Sequence, residues 1–487
     1  MTASVTHFPF CYIIPPMRTQ PIPVLRKVRL RILQKKRITY LLIGMAACFI
    51  LAIGLYLIPP IHDRLSWRLA ELRTRIVYWL NPPEEAVFVP TQQSEVERIV
   101  SQTMAALLTP SATPLPSGEP TATPTITPTP LPLSVYLDVP VYAHQCFRWN
   151  YCGPANLTMA LKFWGWGGTR DEVAAVIKPG VQDPNLDFIE QGFWDKNVMP
   201  YEMSDFVNEH TNLRALYRLG GDINLLKNLL VHGFPAIIEK GYYEYSYTGE
   251  LAWMGHYSFV TGYNDASGGM IWQDTYPNAC DDTDPLEIER KGRNNFSPYT
   301  DFLQGWRGFD YVFIVVYPPE REEELLALLG LWADADWAVG YALDIANREI
   351  PALGGNDLYF AWFNKGTSHV ALQQYQEAAV AFDNAFQVYA TLGGDNTQRP
   401  YRLLWYQDSP YAAYYYAGRY QDVLSLAETT FTTIDTDTLE ETLYWRSLAE
   451  FALGNGDAAI QDMREAVRLN PNFKLARNQL SQWGVSP

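Results

Sequence analysis

LDVPVYAHQCFRWNYCGPANLTMALKFWGW, residues 137–166, is the stretch from which the rest of the chain is read. Cys152-Gly153-Pro154-Ala155 opens an apolar helix whose inner face is Leu157, Ala160, Leu161 and Trp164. Proline is tolerated in a first helical turn because the N–H it lacks would have had no partner there. A cysteine at a helix N-terminus sees unpaired N–H groups and the positive end of the helix dipole, which favour thiolate over thiol. The thiolate is the nucleophilic form, so Cys152 stands where a reactive cysteine belongs.

A reactive thiolate needs an acid–base partner, and the chain has only seven histidines. His7 and His62 flank an apolar segment and His369 falls in a helical region, which leaves His144, His210, His232 and His256. His256 sits in WMGHYSFVTGYND at the start of a predicted strand, and a hairpin later the next strand ends in Trp272-Gln273-Asp274. In an antiparallel pair the end of the second strand returns beside the start of the first. Asp274 is therefore expected to hold the far nitrogen of His256, with Asp265 on the hairpin loop as the competing, turn-forming acid. Gln145, seven residues before Cys152, is expected to join the Cys152 N–H in an oxyanion hole.

A Gln shortly before Cys-Gly-Pro-Ala, then His-Tyr-x-x-Val-x-Gly-Tyr, then a strand ending in Asp, resembles the papain-like cysteine peptidases of the bacteriocin-processing, double-glycine type (cysteine-peptidase family thirty-nine and its relatives). The resemblance covers about residues 139–317. It implies Cys152 as nucleophile, His256 as base and acid, Asp274 as orienter and Gln145 as oxyanion donor. The sequence departs from the family at Thr275, where proline commonly follows the Asp. It also lacks the G-x-x-x-x-G-K-[ST] run of the transporter-linked members, so neither a nucleotide nor export of a bacteriocin leader is implied.

Five cysteines are too few for a disulfide scaffold. Cys11 and Cys48 lie on or before the apolar segment. Cys146 follows Gln145, and Cys280 comes six residues after Asp274, so a Cys146–Cys280 bridge that leaves Cys152 free is expected if the catalytic elements converge. A zinc site of His144, Cys146, Cys152 and His256 is the rival arrangement, disfavoured by the absence of a paired C-x-x-C. No metal or cofactor is expected.

Working outward, eight cations and no acid occupy residues 1–37, whereas the remaining 450 residues carry 29 cations against 53 acids. An acidic chain of pI about 4.9 argues against nucleic-acid binding, which needs a dense cationic face. Residues 38–58 (ITYLLIGMAACFILAIGLYLI) carry no charge and are long enough for a hydrocarbon core of ~30 Å. With the basic arm before them, they are expected to be a signal-anchor helix over 38–59, N-terminus cytoplasmic and the rest outside the cell membrane. A cleavable signal peptide is the alternative, but its apolar region would be shorter.

Residues 60–108 read as two amphipathic stalk helices, one on Leu65, Leu69, Leu72, Ile76 and Trp79, the other on Val96, Ile99, Val100, Thr103 and Leu107. Asn81-Pro82-Pro83 breaks them. In residues 109–132, eight of 24 positions are Pro and seven are Thr, a polyproline-II spacer spanning up to roughly 75 Å and ending at 133.

The region 134–318 mixes strands, expected at 235–243, 256–263, 269–274 and 311–317, with helices at 153–164, 169–177, 204–211 and 223–230. It is read as an α+β, papain-like domain. Residues 319–487 lose the strand signal and are read as an all-α domain. Trp362, Gly366, Ala378, Phe382 and Ala385, then Ala459, Met463, Ala466 and Pro471, resemble the tetratricopeptide pattern. A degenerate copy lies around Tyr420-Gln421-Asp422-Val423 and Ala427. The departures are His369 in place of an aromatic, and spacings of 45 and 36 residues rather than the usual ~34. An ordinary helical bundle is the plainer alternative.

Together these features imply a membrane-anchored cysteine peptidase acting on a peptide or protein, with a possible protein partner on the repeats. A non-catalytic peptide-binding scaffold, and an acyltransferase or amidase acting on cell-wall peptides, use the same residues.

Overall fold

The computed structural model describes residues 23–56, 58–80, 86–90, 130–186, 191–192, 194–245, 251–277, 280, 284–393, 399–434 and 438–486. The second stalk helix and nearly all of the spacer expected from the sequence lie outside them. The chain divides into two units, residues 1–70 and 71–487. In the first, a helix runs over Pro23–Tyr56. Its residues 39–56 are long and apolar enough to cross a bilayer, and none is buried. A second helix, Pro59–Leu80, begins there and ends where Asn81-Pro82-Pro83 follows, as proline rules require.

The second unit is built around a seven-stranded, wholly antiparallel sheet. Its strands are β1 (Ser134–Tyr136), β2 (Arg214–Arg218), β3 (Ala236–Tyr245), β4 (Leu251–Asn264), β5 (Gly269–Gln273), β6 (Asn295–Pro298) and β7 (Phe313–Tyr317). The order is β2-β7-β3-β4-β5-β6, with β1 paired to β4 off that path. Central strand β7 (FIVVY) is buried at every residue: Ile314 and Val316 point into one core, Phe313 and Val315 into the other. A period of two divided between two apolar layers reads as a continuous hydrophobic run, which is how the sequence shows it.

The first core is closed by the helix Cys152–Phe163 through Leu157, Met159 and Leu161, and the second by Ile223–Val231 through Leu225, Leu226, Leu229 and Leu230. Thr169 and Asp222 cap the helices Arg170–Ile177 and Ile223–Val231, as side-chain oxygens do for the first free N–H groups.

One boundary differs in a way that matters. Strand β4 begins at Leu251, five residues before the expected start, so His256 stands inside the strand. Residues 251–258 pair only with β3, and β5 joins from Phe259 onward, opposite Gln273. His256 thus lies where β4 has lost its β5 neighbour, and the chain leaving β5 can cross toward it.

Beyond residue 318 every element among the described residues is helical. The helices Gly355–Ala371 and Tyr375–Thr391 form one antiparallel-type hairpin partner set, and Glu440–Ala452 and Gly456–Leu469 form another. Gly366 is glycine for a steric reason: a Cβ there would meet the Phe382 ring at 2.6 Å. Ala378, Phe382, Ala385, Ala459, Met463 and Ala466 are all fully buried. Phe88, in the segment 86–90, inserts into this helical core against Phe386, with ring centroids 4.9 Å apart.

Candidate active site

Cys152 is the first residue of its helix, and Tyr151 at the N-cap supplies no side-chain cap. The first N–H groups therefore keep their donor capacity for the thiol and whatever approaches it. The preceding loop turns sharply, with Phe147 at φ 65° and Asn150 at φ 52°, both left-handed. The His256 ring and the backbone N–H groups of Tyr257 and Gly153 lie close enough to the Cys152 sulfur to favour its thiolate. Burial alone would push the thiol up; the His256 bond and charge, then the two backbone donors, outweigh it and hold the thiol below its ordinary value.

His256 is 5% exposed, and its Nε2 lies 3.3 Å from Asp274 Oδ1. Thr275 Oγ1 stands 3.4 Å from the same nitrogen. Burial would pull the imidazole down, but its bonds to Asp274 and Cys152 raise it to about 9. Asp274 in turn would be pushed up by burial; its bond to His256, the N–H of Tyr276 and the Lys240 charge hold it low. All three shifts favour the charged forms, thiolate, imidazolium and carboxylate in a row.

The other histidines go elsewhere. His210 stacks on Phe206, and His232 Nδ1 contacts the Asn228 carbonyl. His144 is brought down to about 4 by burial and by Arg170 and Arg148. Asp265, the rival acid, pairs with Lys227 and accepts from the Tyr299 hydroxyl at the far hairpin end.

The segment carrying Gln145 is stitched to the segment carrying Asp274. The Gln145 N–H donates to the Thr275 carbonyl at 2.7 Å, Tyr142 donates its hydroxyl to the Asp274 carbonyl, and the Asp274 N–H reaches Gly292. The Gln145 side-chain carbonyl is buried without a partner. Cys146 and Cys280 join the same two segments, their sulfurs 2.01 Å apart, while Cys152 stays free. Cys146 is thereby removed from the zinc alternative. Among the described residues no three His, Cys, Asp or Glu side chains are grouped to hold a metal.

Several polar residues here escape a reading by motif. Asn156, one turn after Cys152 and fully buried, donates Nδ2 to both the Cys152 and Tyr257 carbonyls at 2.9 Å, fastening the helix to the strand beside His256. A polar side chain on an otherwise apolar helix was the available signal. Glu239, 4% exposed and opposite Tyr257 in the β3–β4 ladder, is bonded to the Tyr257 side chain and pushed well up by burial and by Cys152. Tyr242 meets the His256 ring edge-to-face at 5.8 Å.

Residues 136–300 match the Peptidase_C39 like family. Among solved structures, the chain is similar to a candidate C39-like peptidase from Bacillus anthracis at 16% identity, covering 38% of this chain and 96% of that one, with a TM-score of 0.28. It is also similar to xylellain, a cysteine protease from Xylella fastidiosa, at 15% identity over 39% of this chain and 87% of that one, with a TM-score of 0.26. No curated protein matches the chain. Residues 136–300 form a Peptidase_C39-like domain.

Proposed function

We propose that this chain is a cysteine peptidase that cleaves peptide bonds with Cys152 as nucleophile, His256 as base and acid, and Asp274 as orienter. The observation that carries the reading is the buried row Cys152–His256–Asp274, in which each group is shifted toward its charged form. Cys152 Sγ attacks the peptide carbonyl carbon, and its oxygen becomes the oxyanion. The Cys152 N–H and the Gln145 side-chain NH2 are the donors suited to it, a reading supported by the bond from the Gln145 backbone N–H to the Thr275 carbonyl, which ties Gln145 to the segment carrying Asp274. The His256 imidazolium gives its proton to the leaving amine, and a thioester remains. Water, deprotonated by the same ring, then releases the acid.

The uncharged helix over 39–56, with cations before it, supports a signal anchor, and a Cys146–Cys280 bridge suits an oxidising, extracytoplasmic space. Gly366 against Phe382, repeated small residues and paired helices support a tetratricopeptide-like tail. Active-site titration of the full chain with a thiol-directed peptidyl acyl probe tests the peptidase reading. One probe per chain, attached at Cys152 and absent from Cys152→Ala, is expected. No labelling of folded protein would leave a peptide-binding scaffold.

A further inference from the structure

The tail carries, just before a short helix packed on the strand of His256, one buried group that the peptidase chemistry does not use. Arg402, just before the short helix Leu403–Tyr406, is 5% exposed, and its Nε and Nη1 are sealed from solvent with no hydrogen-bond partner. Among the described residues it has no ion pair. Its guanidinium carbon lies 5.0 Å from the centroid of Tyr401 and 5.1 Å from that of Trp405. Aromatic faces steady a cation, but they do not satisfy its in-plane N–H donors. A buried guanidinium without an acceptor is costly unless something supplies one.

Asp408, six residues on, accepts from the Trp445 indole at 2.9 Å. The helix that Arg402 precedes packs on strand β4 beside the reacting groups: the Tyr406 ring lies against Gly255, next to His256, so that a Cβ there would meet it at 3.0 Å. Burial pushes the Tyr406 hydroxyl up to about 12, with the Arg402 charge lowering it and Cys152 raising it. The hydroxyl thus senses both Arg402 and Cys152.

We propose that the helical tail completes the cleft with an anion subsite, in which the Arg402 guanidinium takes a carboxylate of the peptide substrate. This rests on the peptidase reading and narrows it to peptides bearing an acidic side chain or a free C-terminus near the scissile bond. Because the chain as a whole is acidic, the subsite selects at short range rather than attracting from afar. Arg rather than Lys fits the task, since its planar fork meets a carboxylate with two parallel bonds.

The test compares alkylation of Cys152 in the full chain by iodoacetyl-glutamate α-amide (side-chain carboxylate), iodoacetyl-glycine (terminal carboxylate) and their neutral amides. One charge-assisted bond predicts that an acidic probe reacts about tenfold faster than its amide. That preference is expected to fall to near one in Arg402→Gln and to be partly kept in Arg402→Lys. Whichever acidic probe shows it identifies the source of the carboxylate. An equal preference in wild type and Arg402→Gln overturns the proposal.

A second measurement does not need a reactive thiol. In a Cys152→Ala background, N-acetylglutamate α-amide or N-acetylglycine, but not the matching amide, should raise the melting temperature, and Arg402→Gln should abolish that rise. Without ligand, Arg402→Gln should melt higher than its parent because an unpaired buried charge is gone. A lower melting temperature with no acid effect in the parent would make Arg402 structural and sink the subsite. Acid-specific stabilisation with no alkylation by any probe would instead keep the subsite and remove the peptidase reading.

Discussion

Two buried ionic networks in this unit respond to burial in opposite ways. In the cleft, Cys152, His256 and Asp274 alternate in sign, and each is held in its charged form by its neighbour. At the seam between sheet and tail, Asp195, Glu202, Glu440 and Glu441 gather with Lys178 as the buried base among them, and all four carboxyls are pushed up. The seam is also hydrogen-bonded across: Asn197 donates to Glu441 at 3.2 Å and Asn470 to Glu440 at 3.1 Å. Desolvation is common to both places, so it does not set the direction. What sets it is the ratio of opposite to like charge within reach. The cleft favours the charged forms, whereas the seam favours the protonated ones.

The largest effect that sharpens this contrast is loss of the cleft's cation. His256→Ala should lower kcat/KM for a cleaved peptide by about a thousandfold, within the range of general acid–base contributions. It should also return the Cys152 thiol toward its ordinary value, read as the pH dependence of alkylation. A thiol equally reactive near neutrality without His256 would mean that the helix terminus, not the imidazole, sustains the thiolate.

The pH profile of the intact site carries the next prediction. With the thiol lowered and the imidazole raised to about 9, the ion pair should populate between the two values. Activity should climb as pH rises through the lowered thiol and fall as it passes about 9, giving a bell. Asp274→Asn should cut kcat/KM roughly tenfold to a hundredfold, the worth of one bond to a charged group, and draw the basic limb toward neutrality. An unmoved basic limb would show that Asp274 does not hold the imidazolium.

How much of this could be read from the sequence follows the same division. The neighbourhood of Cys152, His256 and Asp274 was legible because each lies in a short local signal: a Cys at a helix start, a His on a strand, an Asp closing the next strand. The order along the chain supplied the rest. Asp274 comes beside His256 for a reason other than the expected one. His256 lies five residues inside β4, and it is the late arrival of β5 at Phe259, not a strand start, that lets Asp274 reach it. Strands β2 (RALYR) and β6 (NFSP) are short edge strands without a clean apolar-in, polar-out alternation, Tyr217 and Phe296 being exposed, and β1 has only three residues, too few for a period. The seam and Arg402 were invisible for another reason. Asn197 meets Glu441 across 244 positions, and no local pattern records so distant a partner.

The seam offers the smallest effect and the most direct way to break the comparison. Its carboxyls have folded values above their unfolded ones, with Glu202 raised to about 8 by burial, against an ordinary value near 4.3. Protons are therefore bound more tightly by the folded chain. The stabilisation is full below about pH 4 and is lost as pH rises toward 8. Lys178 works against this at the acid end, since burial depresses it; Lys196, also depressed, and Asp408, raised, lie in the same neighbourhood. The seam should hold best in mildly acidic solution, and hydrogen exchange in Glu440–Ala452 should quicken between pH 6 and about pH 8. Glu440→Gln with Glu441→Gln should flatten that dependence and add roughly 1 kcal/mol at pH 8, because an amide keeps the hydrogen bonds without a charge to bury. The cleft's bell should not move, since neither residue touches it. If the paired substitution instead loosened the tail equally at every pH, the seam carboxylates would be ionised partners like those of the cleft, and the two networks would be of one kind.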